Sequence, residues 1–96
     1  MDWVDKLKQT IIFPNTELYL VQPIFNEMDI NKIKILELTF DGLGLKSFYY
    51  MYSSHPKGLR HWEREHKDYY DVSFHLTLDE AKQWCKGLGK SFTIYD

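Results

Sequence analysis

The chain predicts an α+β fold. It reads as a single small domain over residues 1–96, with a mainly antiparallel sheet of four or five strands covered by two or three short helices. Three observations point there. Alanine, the best helix former, occurs once, at Ala81, whereas isoleucine, phenylalanine and tyrosine total twenty of 96 residues, a balance that favours sheet. Period-2 and period-3.6 apolar patterns succeed one another along the chain. The last quarter reads as strand, capped helix, strand.

Residues 2–12 carry Trp3, Val4, Leu7 and Ile11 at helical spacing, with Asp2 as a cap; the run Phe13-Pro14-Asn15-Thr16 breaks this helix. Residues 17–25 alternate as a strand, and Pro23 places it at an edge or near its end. Residues 26–31 read as a polar connection. Residues 32–41 form the clearest strand, with Leu36, Leu38 and Phe40 on one face and Ile35, Glu37 and Thr39 on the other. Asp41-Gly42-Leu43-Gly44 is a turn that joins it to a strand over 45–53 as a hairpin. Residues 56–70 read as a short helix with Leu59, Trp62, His66 and Tyr69 sharing a face. Residues 71–76 and 91–95 are strands. Between them Thr77-Leu78-Asp79-Glu80 is a capping box, Leu78, Ala81, Trp84 and Cys85 form a buried stripe, and Gly87 or Gly89 stops the helix. This final unit has the order of a right-handed parallel crossover.

The charge excludes some classes of function. A net charge of −2 with no block of like sign argues against a strongly basic nucleic-acid binder and against a disordered acidic tail. The lone Cys85 admits no internal disulfide, residues 1–6 lack the apolar run of a signal peptide, and no run is long enough to span a bilayer. The expected setting is the cytoplasm, with no membrane. Ten lysines against two arginines suggest the coding bias of a bacterial or phage genome.

Four histidines fall within twenty-one residues, at 55, 61, 66 and 75, and half of the sixteen aromatics lie between 48 and 74. As metal ligands the histidines are poorly spaced. His61 and His66 are five apart, about 140° around a helix, and the single Glu63-x-x-His66 lacks the second copy that a di-iron bundle needs. No metal or cofactor is expected. Catalytic fingerprints such as a P-loop, a nucleophile elbow or His-Glu-x-x-His are missing, so no catalytic residue is assigned. A small enzyme around His61 and His66 is one alternative. Another is a nucleic-acid-associated protein using Arg60, Arg64 and Lys67, which would share one stripe of a helix; Glu63, Glu65 and Asp68 interleave with them and pair them off.

The favoured expectation is a non-catalytic protein-binding module, such as an inhibitor, an immunity-like protein or an adaptor. Its surface would lie around residues 48–70, using Tyr49, Tyr52, His55, Arg60, His61, Trp62, Arg64, His66 and Tyr69. These are residue types enriched at protein interfaces. The partner is expected to be another protein, with a homodimer through the tyrosine-rich strand as a further arrangement.

Overall fold

A computed structural model of the chain describes residues 3–10, 12–54, 58–66 and 71–95. It is α+β. The elements are α1 (Trp3–Gln9), β1 (Glu17–Ile24), β2 (Glu27–Asp41), β3 (Gly44–Tyr52), β4 (Arg60–Glu63), a 3-10 turn (Arg64–His66), β5 (Ser73–His75), α2 (Leu78–Gly87) and β6 (Phe92–Tyr95). The strands form one sheet in the order β4-β3-β2-β1-β5, with β6 added to β2 beyond that path. Among the described residues it has six strands, against the expected four or five. All pairings are antiparallel except β2 with β6. No helix among the described residues is long and apolar enough to cross a membrane. The proposed cap Asp2 and helix residue Ile11 lie outside the described residues.

β2 is the widest departure from expectation. Of the segment 26–31, read as a polar connection, residues 27–31 are the first part of a fifteen-residue strand. Its Met28 and Ile30 are buried with Val21 of β1 and with Ala81 and Cys85 of α2. Further along, Ile33 and Ile35 are buried on the opposite face, with Leu18, Leu20, Phe48, Phe74 and the α1 residues Val4 and Leu7. The strand therefore serves two cores, one under each helix. Its alternation is broken again by a register shift between Ile35 and Glu37. This bulge at Leu36 lets Ile35 and Leu38 face the same core, which corrects the simple alternation expected over 35–40.

The expected helix over 56–70 is replaced, among the described residues, by β4 and the 3-10 turn. Trp62 stands opposite Phe48 in the β3–β4 ladder. There it stacks on that ring at 5.3 Å and meets Trp3 at 5.5 Å. Burying an indole among three other aromatic rings outweighs a weak helical pattern whose Leu59 and His66 end up exposed.

The terminal unit follows expectation closely. Strands β5 and β6 both run parallel to β2, with β1 and β2 between them, and α2 makes the connection. Thr77 caps α2 with extended backbone, and its hydroxyl accepts the Glu80 amide at 3.2 Å. The Glu80 carboxylate is directed not to the Thr77 end but to Lys6 of α1, so only half of the capping box is used in that way. At the other end Gly89 takes φ +70, Gly89 N–H donates to Lys86 O at 3.0 Å, and Lys90 N–H donates to Cys85 O at 3.1 Å. That is a Schellman stop, and glycine suits its left-handed position.

Thr77→Ala should cost about 0.5–2 kcal/mol in urea or guanidinium melts. No loss would mean that α2 does not depend on this cap.

Candidate functional site

The residues singled out from the sequence divide between the two faces of the β3–β4 ladder. Tyr49 and His61 are paired across it on the outer face, with ring centroids 4.5 Å apart, and Tyr49 is 38% exposed. On the inner side Trp62 is only 2% exposed and belongs to the aromatic core, which corrects its assignment to a binding surface. Its Nε1 has no hydrogen-bond partner among the described residues. Arg60 is exposed and lies 4.9 Å over the ring of Tyr52, whose hydroxyl donates to Gln22 Oε1 at 3.2 Å. Arg64 is half-buried: it donates to Leu45 O at 2.8 Å and pairs with the Asp41 carboxylate. That hydrogen bond, joined by the Leu43 amide, holds the Asp41 carboxyl below the usual aspartate range. His66 is exposed, 3.6 Å from Glu63. His55, Lys67 and Tyr69 lie outside the described residues.

Two expected groupings therefore do not form. Arg60 and Arg64 are on a strand and a 3-10 turn, not on one helical stripe, and Arg64 is tied into the β2–β3 turn. His61 and His66 have different neighbours, Tyr49 and Glu63. Among the described residues no three His, Cys, Asp or Glu side chains gather as a metal site requires.

A different region carries a sizeable cleft. Strands β1 and β2 close on the pair Ile24–Glu27, leaving a two-residue loop, Phe25-Asn26. Phe25 takes φ +56 and is fully exposed. Left-handed backbone costs a residue with a side chain roughly 1–2 kcal/mol, and such loops favour Gly, Asn or Asp there. Below Phe25 a cleft of about 570 Å³ opens between the start of α1, the segment 71–73 and the end of α2. Trp3, Trp84, Met28 and Leu88 supply its apolar walls, and Glu27, Asp71, Ser73 and Lys90 its polar groups. On the other side of Phe25 a shallower groove is lined by Ile24, Glu27, Asp29, Thr93 and Tyr95. Ile24, Leu88 and Tyr95, on these two linings, are exposed. Sequence reading passed over this end because it saw residues 26–31 as a connection. The available signal was Phe25 in place of the usual turn residues before Asn26.

Two further groups bear on chemistry. His75 and Ser73 sit two apart on β5 and so share a face, with His75 Nε2 2.8 Å from Ser73 Oγ. Burial pushes the imidazole down to about 4, with Glu80 partly opposing and Lys6 assisting, so His75 is neutral near pH 7. A base that weak is poorly matched to activating a serine hydroxyl; the pair reads as a satisfied polar contact beneath Trp84, whose ring lies 5.4 Å from the imidazole. Cys85 is fully buried, and burial raises its thiol pKa, the opposite of what a nucleophile needs.

The imidazole gives a pH test. Unfolded His75 titrates near 6.5 and the folded group near 4, so the unfolded chain binds more protons between those values. The stability contributed by neutral His75 is complete above pH 6.5 and is lost as pH falls toward 4. Urea midpoints of the wild type should fall more steeply across that window than those of His75→Gln. Parallel profiles would contradict the burial of this group.

Compared with family models, with curated proteins and with solved structures, the chain matches none, so its site rests on geometry and chemistry alone.

Proposed function

We propose that this chain is a small protein-binding module without chemistry of its own, and that it meets its partner with the β1–β2 hairpin end. The observation that supports this most is Phe25. A phenylalanine held at positive φ and left wholly in water is costly twice over, in backbone strain and in unburied ring. Such a residue is explained by a contact made outside the isolated chain. Its neighbours strengthen the reading: Ile24, Leu88 and Tyr95 extend the apolar surface, which is what contact sites carry.

The surface expected around residues 48–70 is weaker support. Tyr49 and His61 are engaged with each other, and the exposed Lys34 and Glu37 of β2 flank that face. The helical stripe behind the nucleic-acid alternative is not present. An inhibitor, immunity-like or adaptor role fits the module equally well. A reducing, cytoplasmic setting is consistent with a single buried cysteine.

Phe25→Gly separates folding from function. Relief of the left-handed strain, less the entropy that glycine adds to the unfolded chain, should raise stability by about 0.5–1 kcal/mol. The same variant, immobilised beside the wild type in an extract of the native host, should lose the proteins that the wild type retains. An unchanged set of captured proteins would overturn this surface.

A further inference from the structure

The hairpin end also has a charge signature. Glu27 and Asp71 line the cleft, Glu27 and Asp29 line the groove across Phe25, and Lys90 is the one basic side chain on either lining. Three carboxylates against one lysine leave this end two charges negative, which is the whole of the chain's net −2; the remainder is balanced. None of the three carboxylates enters an ion pair among the described residues, whereas Asp5, Glu17, Asp41 and Glu80 each pair with a lysine or arginine.

The apolar wall of the cleft is partly aromatic. Trp3, Trp84 and Phe25 line it, and their rings attract cations through their faces while accepting an aliphatic stem along their edges. Carboxylates beside aromatic walls form a surface complementary to a lysine or arginine side chain. They repel a phosphate or an acidic peptide.

From this we infer that the partner presents a basic segment, with at least one lysine or arginine whose stem enters the Trp3–Trp84 cleft and whose charge meets Glu27 and Asp71. This deepens the protein-binding reading above and rests on it. Because the charges are exposed, the attraction is screened by salt. Because they are unpaired in the free chain, the partner breaks no existing ion pair to reach them.

The test is a tryptophan-fluorescence titration of the full chain with three peptides of equal length and leucine content, carrying arginine and lysine, glutamine, or glutamate at the same positions. The basic peptide should bind at least tenfold tighter than the glutamine peptide at low salt. Most of that margin should vanish in 0.5 M salt, on the order of the screening expected over a Debye length of about 4 Å. Glu27→Gln combined with Asp71→Asn should bind the basic and glutamine peptides alike. Both side chains are exposed, and asparagine tolerates the φ of +50 at position 71, so this variant should fold; a wild-type melt confirms it. Equal affinity of the wild type for the basic and glutamine peptides overturns the charge inference but leaves the protein-binding reading standing. Tighter binding of the glutamate peptide, or no binding of the basic one at millimolar concentration, also overturns the inference. The protein-binding reading itself falls only on the separate capture by Phe25→Gly.

Discussion

The structure depends on one long strand whose two halves bury opposite faces. In β2, Met28 and Ile30 point to the core under α2, and Ile33 and Ile35 to the core under α1. The same strand pairs with β1, β3 and β6. Neither helix touches enough sheet to be stable alone: α1 is seven residues long and α2 ten, below the length at which isolated helices persist in water. Each is held by the sheet, α1 against β5 and β3 and α2 against β1 and β5, and β2 supplies buried residues to the core beneath each. At Asn31-Lys32 the buried positions pass from one face of the strand to the other, and the bulge at Leu36 keeps Leu38 on the same side as Ile33 and Ile35.

The way the helices pack explains why one end is left open. Trp3 of α1 reaches Trp62 and Phe74, Trp84 of α2 reaches His75, and Lys6 joins Glu80 between the two helices. The helices thus approach each other beside the short strand β5, shielding an edge that would otherwise invite pairing. They leave a cleft between them and the β1–β2 loop, and Phe25 at its rim stays wholly exposed. The proposed binding surface is in this sense a by-product of two short helices covering the middle of a sheet whose β1–β2 hairpin runs past them.

Much of this was legible in the sequence, for local reasons. The Thr77 cap, the Ala81–Cys85 stripe and the glycine stop depend on residues within a turn or two of one another, and all appear. The β2–β3 hairpin was marked by Asp41-Gly42-Leu43-Gly44, where Asp41 Oδ1 accepts the Leu43 amide at 2.9 Å. What could not be read depends on distant packing. Met28-Asp29-Ile30-Asn31-Lys32-Ile33 looks like a polar break because its apolar positions shift phase, and the shift makes sense only once a helix covers each face. Trp62 looked like an exposed anchor because its partners Trp3, Phe48 and Phe74 are 12 to 59 positions away. Of the expected surface, Tyr49, Arg60, His61 and His66 remain near solvent, while the hairpin end was missed altogether.

If β2 couples the two cores, they must open together. Native-state hydrogen exchange across a denaturant series measures this directly. Backbone amides in the Met28–Asn31 half and in the Ile33–Leu38 half should converge on one opening free energy, equal to that of global unfolding. A lower opening free energy for the first half, shared with α2 and β6 while the second half stays protected, would contradict it: the two cores would then be separate units joined by a strand, and β2 would not be the element on which the fold depends.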